Sequence, residues 1–332
     1  MNSSLMFTMS GMAAAASLLS LAAALPAYSA EAVLAQRPIT LIIPLAPGGP
    51  NDVEARMYTS RINGNLLSQN IVLDYKPGAS GTISAAFVAH AVPDGHTLQL
   101  TGGSFGAFPA LYKDLPFDTI KDFTHISLVS LKNFVLVVHP SLPIKSFPDY
   151  VAYTRANPEK MNISTTGSGG STHLGGAWLH NMINTKATFV HYKGAGPAVI
   201  DLVAGRVQAT PLALQTSLAL IKSGKIRPVA MMGSNRSDAI PGLATIAEQG
   251  FPGYAFESYI GISGPTGMPA GAVKQLNEAF AKVVKMPDVV KQLDAQGSVP
   301  VGSTPGEFSK LIQAESERWK KVVRDNNITL EE

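Results

Sequence analysis

The fold is decided by the stretch Leu41-Ile42-Ile43-Pro44-Leu45-Ala46-Pro47-Gly48-Gly49-Pro50-Asn51-Asp52. An apolar run with the length of one buried strand stops at Pro-Gly-Gly, and a helical pattern with Val53 and Met57 follows an N-cap residue. The first N–H groups of a helix have no partner inside it, and the helix dipole adds partial positive charge there. This turn therefore suits an anion, although an ordinary strand–helix connection also explains it on its own.

The first 30 residues predict a signal peptide. They contain no charged side chain, and the run from Met12 to Leu25 is rich in Ala and Leu and is followed by small residues up to Ala30. The run is too short to span a bilayer comfortably, and, unlike the usual signal, it has no Lys or Arg before it. We expect cleavage after Ser29, Ala30 or Ala35 and a mature protein in the periplasm.

The composition excludes several kinds of site. The 332 residues include no cysteine, which rules out a disulfide framework, a thiolate nucleophile, an iron–sulfur cluster and a Cys-based zinc site. The net charge of +3 is weak, and the Lys and Arg residues are scattered, so nothing indicates nucleic acid. His173 and His180 lack the H-E-x-x-H pattern. We expect no metal ion and no cofactor.

Short β-rich runs alternate with helical patterns, which predicts an α/β fold with mostly parallel sheets flanked by helices. The length suits two lobes. The extended runs 134–139 and 254–261 would cross between the lobes as a hinge, with a ligand cleft between them. We assign residues 37–136 and 258–332 to lobe 1 and residues 137–257 to lobe 2. Strands are predicted at 39–45, 71–75, 97–101, 134–139, 162–165, 187–191, 208–212, 228–232 and 258–264, and helices at 53–67, 83–91, 147–157, 171–184, 195–204, 215–223, 245–249, 271–285, 288–296 and 305–326.

Three later stretches repeat the design of a strand, a glycine loop and a helix. They are Gly102-Gly103-Ser104-Phe105-Gly106, Gly167-Ser168-Gly169-Gly170-Ser171-Thr172-His173 and Gly194-Ala195-Gly196-Pro197. Such loops in both lobes would line a cleft with backbone donors and small hydroxyls, which suits carboxylates. Each loop alone is also explained as a plain connection, and His173 fits a capped or packed position equally well.

The sequence patterns of two other functions, nucleotide binding and serine hydrolysis, match these loops only in part. Gly167–Thr172 lacks the last glycine of the dinucleotide fingerprint, and no Gly-Lys-Ser/Thr follows a Gly-rich turn, so nucleotide sites are disfavoured. Gly102–Gly106 matches the G-x-S-x-G pattern of a hydrolase with Ser104 as the nucleophile. That enzyme needs a His near its C-terminus, whereas the last His here is His191. We expect no enzyme, and a secreted Ser hydrolase is the alternative from another class.

Taken together, the motifs of the chain resemble those of the tripartite tricarboxylate transporter substrate-binding proteins, the Bug family. The resemblance implies a periplasmic receptor with two lobes, similar to the type II periplasmic binding protein fold. It also implies a small carboxylate ligand and membrane permease subunits as partners; we expect a monomer, and a sensor for a membrane kinase stays open. The matching motifs, in order, are Pro47-Gly48-Gly49 with Asp52, Leu111-Tyr112, Leu115-Pro116-Phe117-Asp118, Lys121-Asp122-Phe123, Gly167-Ser168-Gly169 with His173-Leu174, Tyr192-Lys193-Gly194, Pro197-Ala198, Asp201-Leu202, Pro252-Gly253-Tyr254, Gly297, and Pro300-Val301-Gly302-Ser303-Thr304-Pro305 with Phe308.

The resemblance also implies which loops hold the ligand. In the family, main-chain N–H groups and waters from the loops that correspond to Pro47–Asn51 and Gly167–Thr172 contact it. The candidate ligand-binding residues are Pro47, Gly48, Gly49, Pro50, Asn51, Ser104, Phe105, Gly106, Ser168, Gly169, Gly170, Ser171, Thr172, His173, Gly194, Ala195, Leu212 and Tyr259.

One departure from the family bears on the ligand. Many members carry an acidic or amide residue where this chain has Leu212, and some use it to meet an amine. A cleft without that group should hold amino acids poorly. Tyr259 stands where many members have Trp, and Phe105 could stack on an aromatic ring. The sequence therefore favours an aromatic dicarboxylate such as terephthalate, then an aliphatic dicarboxylate, then an aromatic monocarboxylate.

Overall fold

The computed structural model describes residues 34–328. The predicted signal peptide, residues 1–30, lies outside the described residues. No helix of the described part is both long enough and apolar enough to cross a membrane.

The strands follow the predicted alternation closely. The main difference is β4, which begins eleven residues before the predicted run at 134. A short strand at the end of the chain, β10, is not predicted. The strands are β1 Ile39–Ile43, β2 Ile71–Tyr75, β3 Thr97–Gly102, β4 Phe123–Val138, β5 Asn162–Thr165, β6 Thr188–His191, β7 Ala209–Ala213, β8 Arg227–Met231, β9 Glu257–Pro265 and β10 Ser298–Pro300.

Apart from the four-residue α3, which is not predicted, the helices lie close to where the periodicity predicts them. The first begins earlier than predicted, at Pro50, with Gly49 as an N-cap that offers no side-chain acceptor. Residues 245–249, predicted as helix, contain a single 3₁₀ turn at Ala247–Gln249. The helices are α1 Pro50–Ile62, α2 Thr82–Ala89, α3 Phe108–Leu111, α4 Phe147–Ala156, α5 Ser171–Met182, α6 Ala195–Val203, α7 Leu214–Lys222, α8 Ala270–Val283, α9 Pro287–Ala295 and α10 Pro305–Asp325.

The strands form one continuous mixed sheet in the order β2-β1-β3-β9-β4-β7-β5-β6, with β8 and β10 also paired to β4. The α/β class is as predicted, but the sheet is parallel only in its outer parts, where β1 pairs with β2 and β3, and β5 with β6 and β7. At the centre, β4 and β9 carry the chain in opposite directions and pair antiparallel. The prediction included β9 and the second part of β4 as strands, but it did not anticipate their antiparallel pairing.

The partners of β4 change along its length. Up to Asn133 it pairs with β9 and β10, and from Phe134 onward it pairs with β7 and β8. We call the part built on β1–β3 the first half and the part built on β5–β8 the second half. The predicted lobe boundaries at residues 136 and 258 stay a prediction.

The last helix, α10, is amphipathic and joins the two halves. A capping box between Thr304 and Glu307 starts it. Phe308 and Ile312 enter the apolar cluster of the first half, whereas Trp319 packs in that of the second. The apolar stripe of α10 is thus long enough to cover both halves.

Candidate ligand-binding site

A cavity of about 230 Å³ lies where three helix N-termini and the turn after β3 converge. Asn51 comes from the start of α1, Gly81 from the N-cap of α2 and Ser171 from the start of α5. Ligands of open α/β sheets bind beyond the carboxyl ends of the strands, which is the position of this cavity. None of the described residues that line it is charged. They are Pro44, Leu45, Asn51, Ser80, Gly81, Gln99, Gly102, Gly103, Ser104, Phe105, Phe108, Ser171 and Ser258.

Larger depressions, of about 640, 430, 410 and 240 Å³, lie elsewhere on the described surface. The one of about 640 Å³ is lined by parts of α4, α5 and the end of α10, and the one of about 410 Å³ lies between α8 and the segment after α1. None of the four collects the N-termini of several helices. We therefore take the smaller cavity as the candidate site.

The Pro-Gly-Gly loop is held by a buried carboxylate. The side chain of Asp52 accepts hydrogen bonds from Gly48 N at 2.8 Å and from the Tyr75 hydroxyl at 2.6 Å, and Arg56 Nε lies 3.0 Å away. Burial alone would raise the pKa of Asp52, but these hydrogen bonds outweigh it and hold the pKa below its usual range. Asp52 thus fixes Gly48, whose φ of +86° is in the left-handed region.

The loop before α2 has a strained backbone. All four residues from Gly78 to Gly81 have positive φ angles, and Ala79 and Ser80 are not glycines. The carbonyl of Ala79 accepts hydrogen bonds from the hydroxyls of Tyr112 and Thr82. Strain of this kind is concentrated at functional sites. Ser80 and Gly81 both line the cavity.

The turn after β3 packs closely against β9. A Cβ atom on Gly103 would lie 2.1 Å from Ser258 Oγ, so glycine is required there. The Phe105 ring lies in the cavity wall and packs edge-on against Phe123, with 5.0 Å between the ring centroids. His125 packs edge-on against the Phe105 ring, and its Nδ1 is hydrogen-bonded with Ser263 Oγ at 3.0 Å. Among the described residues, Ser104 has no hydrogen bond to a histidine, which is what a hydrolase would need.

The Gly-Ser loop before α5 is ordered by its own helix. Thr172 Oγ1 accepts a hydrogen bond from Thr166 N at 2.8 Å, and His173 Nδ1 accepts one from Gly169 N at 3.1 Å. Burial, with a contribution from nearby His191, lowers the pKa of His173 to about 4. A neutral ring with an acceptor at Nδ1 carries its proton on Nε2. His173 therefore holds the loop, and it does not line the cavity.

The cavity brings together four of the predicted residues, Asn51, Ser104, Phe105 and Ser171. Leu212 and Tyr259 lie outside this lining, in apolar clusters. Most of the other predicted residues outside the lining lie in the loops that form it: Pro47, Gly48, Gly49, Gly106, Ser168, Gly169, Gly170, Thr172, His173, Gly194 and Ala195. The ligand contacts of all these residues, and that of Pro50, stay predictions.

The prediction from sequence missed three polar parts of the site. One is the loop of Ser80 and Gly81, although Pro77-Gly78 between β2 and α2 is the same signal of a strand, a glycine loop and a helix. The second is Ser258, near the start of β9. The third is Gln99, in the middle of β3. The alternation of Leu98, Gln99 and Leu100 placed it on the face opposite the leucines, but nothing in the pattern identified that face as a cavity wall.

Three comparisons with known proteins, by family profile, by sequence and by structure, each find similar chains. The profile of the tripartite tricarboxylate transporter family receptor matches residues 55–328. Protein BugT of Bordetella pertussis is 31% identical over 296 residues, which are 89% of this chain and 90% of BugT. The structure of Rpa4515 from R. palustris with adipate is 31% identical, with a TM-score of 0.76, over 89% of this chain and 99% of that one. MatC from Rhodopseudomonas palustris with bound malate is 30% identical, with a TM-score of 0.73, over 86% and 99%.

Proposed function

This chain belongs to the tripartite tricarboxylate transporter receptor family, and from that premise we propose that it captures a small carboxylate between its two halves and delivers it to membrane permease subunits. The family is one of periplasmic solute-binding receptors. The delivery step and the ligand are our proposal.

The observation that carries the proposal is the convergence of three helix N-termini on a cavity whose described lining holds no charged side chain. N–H groups at these ends, together with the hydroxyls of Ser80, Ser104 and Ser171, are donors suited to carboxylate oxygens. The described lining has no Asp or Glu to meet an ammonium group. These features favour a carboxylate that carries no amine.

Within that class we propose a dicarboxylate. Adipate and malate are the ligands in two similar solved structures, which supports an aliphatic one. Of the residues that suggested an aromatic ligand such as terephthalate, Phe105 lines the cavity, whereas Tyr259 is buried in the core. We therefore reverse the order that the sequence favoured and propose aliphatic dicarboxylates ahead of aromatic ones.

We further propose that binding closes the two halves. The cavity takes Asn51 and Ser104 from the first half, Ser171 from the second and Ser258 from β9. A ligand that bridges them interacts differently with open and closed forms and shifts their populations. The radius of gyration from small-angle scattering should fall when adipate is added at saturation. An unchanged radius would contradict closure.

Thermal-shift screening against a carboxylate panel tests the proposed ligand class. A ligand at 100 times its dissociation constant adds about 2.7 kcal/mol of stability, which raises the melting temperature by roughly 5 °C in a chain of this size. Ser171→Tyr, which fills the cavity, should abolish the shift, and Ser223→Tyr on the exposed end of α7 should keep it. A larger shift with glutamate than with every amine-free acid would contradict the proposal. Ser104-dependent esterase activity would favour the hydrolase instead.

A further inference from the structure

Gln99 is a polar group in the wall of the cavity whose hydrogen bonding is incomplete. It lies on β3 between Ile42 of β1 and Ser263 of β9, and it is 2% exposed. Its neighbours Leu98 and Leu100 point to the opposite face and enter an apolar cluster. The side chain of Gln99 is thus directed to the cavity face of the sheet.

The hydroxyl of Ser84 fixes the orientation of the Gln99 amide. Ser84 Oγ donates its one proton to the carbonyl of Gly81 at 2.8 Å, so toward Gln99 it can act only as an acceptor. Gln99 Nε2 lies 3.4 Å from Ser84 Oγ and donates to it. Oε1 is then left without a partner among the described residues. Since buried acceptors in native proteins are normally paired, this atom calls for a donor that the described residues do not supply.

The surroundings of Gln99 restrict what that donor can be. Gly81, to which Gln99 is linked through Ser84, lines the cavity together with Ser80. Phe105 and Phe108 form an apolar wall of the same cavity. A carboxylate is only an acceptor at neutral pH and cannot satisfy Oε1. A neutral hydroxyl group on the ligand can donate a hydrogen bond to Oε1. Such a group also suits a cavity wall whose described residues carry no charge.

We infer that Gln99 is a specificity-determining residue that accepts a hydrogen bond from a hydroxyl group of the bound carboxylate. The inference rests on the proposed carboxylate-binding function and adds to it a preference for hydroxylated acids over their deoxy analogues. A site that hydrogen-bonds a ligand hydroxyl discriminates against the analogue that lacks it, because the buried partner is then left unpaired.

Isothermal titration calorimetry with two matched pairs tests the inference. The pairs are malate with succinate and 2-hydroxyterephthalate with terephthalate. In the wild-type protein we expect the hydroxylated member of at least one pair to bind at least 10-fold more tightly. In Gln99→Met, which is similar in size, this ratio should fall to about one while the deoxy acid keeps its affinity within about threefold. Gln292→Met, at an exposed position of α9, should keep the wild-type ratio.

Gln99→Asn provides a second variant, because it keeps an amide but withdraws it by one methylene. It should also lose the hydroxyl preference. Equal affinities within both pairs for the wild-type protein, or a wild-type ratio that survives in Gln99→Met or Gln99→Asn, would overturn the inference. Retained binding of the deoxy acids in these cases would leave the proposed receptor function intact. Failure of all four acids to bind the wild-type protein would contradict both the inference and the proposed receptor function.

Discussion

Replacing Asp52 with alanine should loosen the Pro-Gly-Gly loop and destabilise the protein. The carboxylate accepts hydrogen bonds from Gly48 N and Tyr75 and contacts Arg56. Hydrogen bonds to charged groups contribute about 1.5–3 kcal/mol each. Arg56 and Tyr75 reach water and can replace their lost partner, so we expect a net loss of about 2–3 kcal/mol rather than the full sum.

Urea unfolding and calorimetric titration with adipate measure the two consequences. Affinity should fall on the order of 10-fold, equivalent to about 1.4 kcal/mol, because Gly48 no longer has its anchor. Asp74→Ala is the matched control. Asp74 lies at the edge of the same sheet, is exposed and makes a 3.4 Å ion pair with Lys76. Its replacement should lower the free energy of unfolding by less than about 0.5 kcal/mol.

The contribution of Asp52 depends on pH in a defined direction. Its pKa in the folded state is lowered, so its stabilisation is present above the usual value of 3.8 and is lost as the pH falls through the lower folded value. The difference between wild type and Asp52→Ala should therefore shrink below about pH 3.8. Equal stabilities of Asp52→Ala and Asp74→Ala at pH 7, or an unchanged affinity for adipate, would refute the role of Asp52 in ordering the loop.

Three further predictions concern groups around the site. Burial raises the pKa of Glu315 to about 7, above its usual 4.5. Wild-type stability in urea should therefore fall by about 3 kcal/mol between pH 4.5 and 8, and Glu315→Gln should remove most of this slope; parallel pH profiles would contradict it. Glu54→Ala leaves the Lys132 ammonium, 17% exposed, without its partner. The free energy of unfolding in urea should fall by about 3–5 kcal/mol. A fall below about 1 kcal/mol would indicate that water pairs the lysine. Gly103→Ala brings a methyl group against Ser258 Oγ and should weaken adipate binding about 10-fold, with recovery in the double variant Gly103→Ala/Ser258→Gly; no recovery would show that the clash is not the cause.

Much of the fold follows from local patterns in the sequence. The apolar run of β1, the Pro-Gly-Gly turn and the helix after it are all set by neighbouring residues, and each lies close to its predicted place. The first part of β4 was missed because Ser130 and Lys132 interrupt its apolar pattern. Both side chains bond to Glu54, which is distant in sequence, and no local pattern reveals that compensation.

The candidate site was predicted as loops rather than as individual contacts. Glycine turns identify where backbone donors collect, which is why Asn51 and Ser171 were found. The contact of Leu212 comes from a family resemblance and stays a prediction, and the side chain lies in an apolar cluster on β7. Gln99 was missed because a strand residue shows no turn signal, and its role depends on the space between β3 and the loop of α2.

In the proposed function, loops of both halves hold one carboxylate through backbone N–H groups. Selective ¹⁵N labelling of glycine, followed by titration with adipate, measures this at single residues. We expect the amide signals of Gly102 and Gly103 in the first half and Gly170 in the second to shift with one dissociation constant. Those of Gly224 and Gly242, in turns away from the cavity lining, should stay in place. Shifts confined to one half at saturation, or equal shifts at Gly224 and Gly242, would contradict the proposed function.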